Sequence, residues 1–308
     1  MLEGLAWFFI LFNATNLGLS LLICVFSVVA LSREKKWMMG FEDRLKERWE
    51  HFPSITVVIP AFNEEESIVE SVKAVLKSRY PVLEIVVVND GSRDSTLETM
   101  LGAFPLVPSK DFSSAGLINE PIRGVWRSAD GLLTLIDKHN GGKADAINAG
   151  INLAASPLVC VVDADTVLQR DTLLFLAEPF LDNPTLLVAG GFIRLKPPAR
   201  KSLLPSLLYW LQELEFARSY GCFRAGLNIV HANVIISGAL GLFRRSAIIE
   251  VGGYDPLAVG EDMELVLRLH SYSLERRRPY AILQVGYALC RTAACDSLQL
   301  LRSEEHTS

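Results

Sequence analysis

Cysteine is scarce in this sequence, and positive charge is not in excess. Five cysteines among 308 residues (Cys24, Cys160, Cys222, Cys290 and Cys295) form neither a CxxC metal pair nor the dense framework of a disulfide-stapled domain. A reducing compartment is the simplest reading. The five histidines are scattered, so no zinc-ligand spacing arises. Thirty Lys and Arg against thirty-five Asp and Glu give a net charge of -5. No field is left to hold a polyanion, which excludes nucleic acid as a partner. The Walker A pattern fails too, because Ala144 follows Gly142-Lys143. Half of the residues are hydrophobic and mean hydropathy is +0.28, which excludes disorder and is high for a chain without a membrane segment.

That apolar excess is concentrated at the N-terminus. The 29 residues between Glu3 and Arg33 carry no charge, and as a helix they reach roughly 43 Å, more than the ~30 Å of a hydrocarbon core. Leu, Ile, Val and Phe fill sixteen positions from Leu5 to Leu31, which outweighs Asn13 and Asn16. A cleaved signal peptide fits less well, since its start should be basic and its apolar stretch short. Here Arg33, Lys35 and Lys36 follow the stretch. Residues 1–32 are therefore read as a transmembrane helix, 33–53 as an amphipathic juxtamembrane connector, and everything after Ser32 as cytoplasmic by the positive-inside tendency. The expected location is the cell (inner) membrane.

From Ser54 short apolar runs alternate with helical periodicity. Ile55 to Ile59, Ile85 to Val88, Leu132 to Ile136 and Leu158 to Val162 are expected to be buried strands. The stripes Ile68/Val72/Val75/Leu76, Leu97/Met100/Leu101/Phe104 and Ile147/Ile151/Ala154 are expected to be helices. This is an α/β fold, a mostly parallel sheet with helices on both faces, and such sheets bind ligands at the carboxyl ends of their strands. Polar residues accumulate at those ends. The first strand runs into Pro60-Ala61-Phe62-Asn63-Glu64, the second into Asn89-Asp90-Gly91-Ser92, the fourth into Asp163-Ala164-Asp165-Thr166. Each alone reads equally as turn or cap chemistry. Together they converge on one crevice. Segment 102–131, rich in Pro, Gly and Ser, is expected to be a long insertion without periodicity.

Five segments in order, VVIPAFNEE, VVVNDGSRDST, NGGKADAINAG, VVDADT and SGALGLFRR with VGGYDPLAVGEDMEL, resemble the family 2 glycosyltransferases of the GT-A (Rossmann-like) fold. Among these, the chain is most similar to the membrane-bound synthases of β-linked polysaccharides, the poly-β-1,6-N-acetylglucosamine synthases in particular. The resemblance covers residues 54 to about 301, with a nucleotide-binding half (54–166) and an acceptor half (167–301). It implies that Asp90 contacts the uracil of a UDP-sugar donor, that Phe62 to Glu64 border the base, and that Lys143 lies near the diphosphate. Asp163 and Asp165 would be the DxD pair. Charge repulsion supports that assignment independently, since a diphosphate beside carboxylates is opposed by about 4 kcal/mol per close pair at an effective dielectric near 20. A divalent cation must intervene, and Mg²⁺ or Mn²⁺ suits hard oxygen ligands. Lys143 has a plainer reading as part of a loop leading into a helix.

In the second half, Leu173, Leu174, Ala177, Phe180 and Leu181 follow helical spacing, and Leu186 to Ala189 and Phe192 to Leu195 are expected to be strands. Arg194, Lys196, Arg200 and Lys201 precede the apolar segment Leu203 to Phe216, which reads either as an interfacial membrane helix or as an ordinary core helix. Ser237-Gly238-Ala239 would let a sugar ring approach closely, or simply bend a strand. Glu261-Asp262 follows Gly260 at a helix start, where a cap is the plain explanation. By resemblance, Ser237, Gly238 and Glu261 border the acceptor and Asp262 is the general base. The implied reaction is single-displacement transfer with inversion onto a growing glycan. Transfer of one sugar to a polyprenyl phosphate, or non-catalytic nucleotide-sugar binding, are the alternatives, and the resemblance leaves room for small membrane partner subunits.

The family's QxxRW motif and further transmembrane helices are not found in the 308 residues. Residues 302–308 match the conceptual translation of a common sequencing adaptor, so a non-native tail on a truncated reading frame is expected, with weak UDP-sugar binding and no polymer synthesis.

Overall fold

The computed structural model describes residues 2–110, 114–197 and 203–293. Arg200, Lys201, Cys295 and the tail 302–308 lie outside the described residues. The first helix, α1 (Leu2–Met38), does not stop at Ser32 but continues through the basic residues to Met38. It includes one stretch long and apolar enough to cross a membrane, Trp7–Met38. Most of its apolar side chains, such as Trp7 and Leu11, face outward.

Gly40, with φ 79°, turns the chain into α2 (Phe41–Arg48). This connector is docked on the following domain. Trp37 and Phe41 stack with Phe175, Arg44 pairs with the buried Glu178 at 2.9 Å, and Arg48 with Asp182 at 2.7 Å.

Ten strands form one mixed sheet. In chain order they are β1 (Ile55–Ala61), β2 (Leu83–Asn89), β3 (Leu106–Pro108), β4 (Ile122–Ser128), β5 (Leu133–Lys138), β6 (Leu158–Val161), β7 (Val167–Leu168), β8 (Leu186–Leu195), β9 (Gly241–Arg244) and β10 (Ala281–Thr292). Their order across the sheet is β3-β4-β5-β2-β1-β6-β9-β8-β10-β7. The central four, β5-β2-β1-β6, are parallel. The expectation of a mostly parallel sheet holds for these, whereas β3, β4 and β9 pair antiparallel with their neighbours and only β8 and β10 are parallel beyond them.

The helices α3 (Ile68–Leu76), α4 (Thr96–Ala103), α5 (Lys143–Leu153), α6 (Thr172–Asp182), α9 (Arg245–Glu250) and α10 (Glu261–Glu275) cover the sheet, and α7 (Leu203–Phe216) continues through a π-helical segment (Ala217–Arg224) into α8 (Ala225–Leu227). Alternation along β1 shows why both faces are covered. Ile55, Val57 and Ile59 enter one core and Val58 the other, each fully buried.

Segment 102–131 is not a structureless insertion. Its β3 and β4 extend the sheet edge, and Asp130-Gly131, with Gly131 at φ 74°, closes the β4–β5 hairpin. On α7, Leu207, Trp210, Leu211 and Leu214 are exposed while Leu208 and Glu213 are buried. The spacing is that of one helix face, which has no cover among the described residues.

Candidate active site

Because β1, β2, β5 and β6 run parallel, their carboxyl ends share one edge, and a cleft of about 510 Å³ opens there. Pro60, Ala61, Phe62 and Glu64 line it from β1, Asp90 from β2, and Asp163 and Asp165 from the turn after β6. Lys143 enters from the first turn of α5. Gly142 precedes it with φ 89°, a conformation open to glycine. These residues, separate in the sequence, thus meet at one cleft.

Asn63 does not line the cleft. It adopts φ 57°, its Oδ1 accepts from the Arg93 amide at 2.8 Å, and its own amide donates to Ser92 Oγ at 3.0 Å. These bonds hold it in the loop wall beside the cleft. Asp90 is on the wall but only 2% exposed, with its carboxylate held by Lys138, Asn140, Gly141 and Gly142.

The two carboxylates of the DxD pair have different partners. Asp163 pairs with Lys143 at 2.7 Å. Asp165 Oδ2 accepts from Thr292 Oγ1 at 2.7 Å, which ties the turn to β10. Glu64 lies close enough to both that, after its burial, their charges push its carboxyl up, against the hydrogen bond from Ser67.

Lys143 joins the two halves of the site, since its Nζ is also 3.9 Å from Glu261 at the start of α10. Burial opposes its charge, but Asp163, Asp262 and Glu261 prevail and hold its pKa above the ordinary lysine value. Asp262 Oδ2 accepts from the Gly238 amide at 2.6 Å, while Oδ1 is buried with no partner among the described residues. Burial pushes the Asp262 carboxyl up to about 6. Lys143 pulls it down, Glu261 and Asp163 push it further up, and the Gly238 amide lowers it. Ser237 stands next to Gly238, and the phenol of Tyr220, on the π-helical segment, lies near it.

Sequence reasoning missed several contributors. Lys138, Asn140, Ala146, Tyr220 and Thr292 contact the site or its immediate supports. So does the clamp in which Asn148 on α5 donates to the Tyr254 carbonyl and accepts from its amide, both at 2.8 Å. Only Lys138 left a signal, being a lysine at the end of a wholly buried strand whose first residues include Leu133, Leu135 and Ile136.

A mixed sheet with its acidic cleft at the parallel strand ends is the architecture of solved GT-A transferases. The mannosyltransferase PcManGT from Pyrobaculum calidifontis, solved in complex with GDP-Man and Mn²⁺, aligns over 88% of this chain and 68% of its own, with a TM-score of 0.56 and 20% identity. A Staphylococcus aureus TarS fragment aligns over 78% of this chain and 60% of its own, with a TM-score of 0.50 and 16% identity. Family models described as glycosyl transferase family 2 and glycosyltransferase-like family 2 match residues 56–113 and 111–304. The chain belongs to glycosyltransferase family 2. Among curated relatives, the poly-β-1,6-N-acetyl-D-glucosamine synthase of Staphylococcus epidermidis is 30% identical over 231 residues, 75% of this chain and 49% of that protein. The synthase of Staphylococcus aureus is 30% identical over 236 residues, 77% of this chain and 49% of that protein. The chain thus spans about half the length of these relatives.

Proposed function

We propose that this chain is the donor-binding and transfer portion of a membrane-anchored, inverting glycosyltransferase. It moves N-acetylglucosamine from UDP-N-acetylglucosamine onto a growing β-linked glycan. The observation that carries the reading is Lys143, which pairs with Asp163 in the donor cleft and approaches Glu261 beside Asp262. Donor and acceptor chemistry therefore meet at one ammonium. The names of the two staphylococcal synthases support the sugar. The outward-facing apolar surface of α1, with Lys35 and Lys36 in its last turn, supports a spanning helix and a cytoplasmic site.

Asp163 and Asp165 are hard oxygen donors on one wall, and the lysine drawn onto Asp163 supports a preference of this wall for a cation. No group of three His, Cys, Asp or Glu side chains able to hold a metal occurs among the described residues. The pair fits Mg²⁺ or Mn²⁺ whose remaining ligands come from the donor diphosphate and water. When bound, such an ion supplies Lewis-acid stabilisation of the leaving diphosphate.

The chain's own residues do the rest. Phe62, 43% exposed at the cleft mouth, offers a face to the uracil. Lys143 provides a positive charge to the diphosphate. Gly238 fixes one oxygen of Asp262, and the other takes the acceptor hydroxyl proton. The acceptor oxygen then bonds to the anomeric carbon as the bond to UDP breaks, which inverts that carbon. General-base assistance of this kind is worth about 10² to 10⁴-fold in rate.

The test is UDP release by the 308-residue chain in membranes supplied with UDP-N-acetylglucosamine or UDP-glucose, with Mg²⁺ or Mn²⁺ present or chelated. Release with the first donor should require the cation and fall by at least about 10²-fold in Asp262→Asn while donor binding persists. Release with UDP-glucose alone would overturn the sugar assignment. Equal release from the Asp262→Asn variant would remove Asp262 as the base.

A further inference from the structure

Residues 232–237 lead to the turn that holds Asp262, and they have no regular secondary structure. Among the described residues, no backbone-to-backbone hydrogen bond reaches 233–236. Side chains hold this stretch instead. Asn233, 1% exposed, donates from Nδ2 to Asn228 Oδ1 at 2.7 Å. Asn228 is itself fixed to β10, because its Oδ1 accepts from the Gln284 amide and its Nδ2 donates to the Gln284 carbonyl, both at 2.8 Å. The Asn233 carbonyl is taken by His270 Nε2 at 2.8 Å.

His270 lies on α10, the helix that begins with Glu261-Asp262. A carbonyl oxygen only accepts, so Nε2 carries a hydrogen and donates. Nδ1 faces the Tyr280 hydroxyl at 2.8 Å, and the two rings meet edge to face with centroids 5.3 Å apart, which keeps the imidazole in that orientation. The helix therefore grips one loop at two points with bonds of opposite sense. Asp262 accepts from the Gly238 amide, and His270 donates to the Asn233 carbonyl. From Asp262 to His270 the helix rises about 12 Å, and the chain from Asn233 to Gly238 reaches at most about 17 Å. The loop is strung along the helix with little slack.

We infer that His270 is a positioning residue for the acceptor side of the site. By holding Asn233 it keeps the loop stretched, and so fixes Ser237 and Gly238 against the carboxylate that receives the acceptor proton, although His270 itself touches no reacting atom. This rests on the glycosyl-transfer reading of Asp262. It gives a task to a histidine that the transfer chemistry does not use and to the buried asparagine that it holds. The two ring nitrogens also separate by substitution. In His270→Gln the amide nitrogen can stand where Nε2 does, whereas in His270→Asn it reaches only as far as Nδ1, towards Tyr280.

UDP release, UDP titration and amide hydrogen exchange are compared for the full chain and for His270→Leu, His270→Asn and His270→Gln, with circular dichroism confirming that each is folded. His270→Leu and His270→Asn should lower kcat for UDP release by about tenfold or more while UDP affinity stays within about twofold. Exchange should quicken over residues 232–238 and stay unchanged in β1 and β2. His270→Gln should bring turnover back to within about threefold of the unsubstituted chain and slow the loop exchange with it. His270→Asn keeps a polar side chain in place, so it decides the matter where His270→Leu does not fold. Turnover in His270→Asn within about twofold of the unsubstituted chain would overturn the inference. So would UDP affinity that falls in step with turnover, since His270 would then hold the fold as a whole, and so would His270→Gln being as impaired as His270→Asn. Absence of UDP release from the unsubstituted chain would sink the functional reading instead, and exchange over 232–238 in His270→Asn against His270→Gln would still decide whether His270 holds the loop.

Discussion

Asp262 is under two opposed demands, burial and ionisation. Its folded value near 6 stands above the ordinary carboxylate value of 3.8, so the folded protein carries a strained anion at neutral pH. As a base it must be ionised, and UDP release is expected to rise with pH along a limb centred near 6. Stability should run the other way. Above pH 6 the ionised carboxylate disfavours the fold by on the order of 3 kcal/mol, and the penalty vanishes as pH falls through 6 towards 4. Asp262→Asn should therefore melt higher than the unsubstituted chain at pH 7.5, with the gap largely closed at pH 4.5. A gap that is constant with pH would show that Asp262 is not strained. Single residues were legible in the sequence where a strand end or a helix start fixed their direction, as for Asp163, Asp165, Lys143 and Asp262, which the structure brings together. Tyr220 and Thr292 were not, because their places depend on which segments fold back against the site.

At the level of elements, the contact between the Ser237–Ala239 turn and α10 decides where Asp262 sits. A Cβ at Gly238 would come within 2.5 Å of Asp262 Oδ2, so no side chain fits without moving the carboxylate. Gly238→Ala should lower UDP release by about tenfold or more with UDP binding within twofold, measured by turnover and titration on the same preparation. A loss of binding instead would mean that the turn serves the donor. The central strands and the helices between them were readable from continuous apolar runs and 3.6-residue stripes. The edge strands were not, because β3 has three half-exposed or exposed residues and β4 is mostly half-exposed, leaving little apolar signal. The Asp130-Gly131 pair was the one local cue that a hairpin lay inside a segment otherwise rich in loop residues.

Across the whole molecule, two apolar surfaces have no protein cover among the described residues. One is α1. The other is the α7 stripe of Leu207, Trp210, Leu211 and Leu214. Ser27 Oγ on α1 donates to the Cys222 carbonyl of the segment that continues α7, so both surfaces belong to one rigid arrangement. In nanodiscs containing bromine-labelled lipid, the fluorescence due to Trp210, taken as the difference from Trp210→Phe, should be quenched. An unquenched Trp210 would place α7 in water. The sequence allowed this face as either core or interface, since composition alone does not say which neighbours a helix has.

Gly226 makes the seat of α1 unusually close, because a Cβ there would lie 2.9 Å from the Ile23 carbonyl and from Ser27 Oγ. The short helix α8 that carries Gly226 continues from the turn bearing Tyr220, which lies near Ser237, next to the glycine that holds Asp262. In a bilayer this makes the membrane helix a ruler rather than a tether. With α1 spanning a bilayer as proposed, the height of the Asp262 site above the lipid headgroups would follow the Gly226 contact, and added length in the 39–53 connector would leave it unchanged.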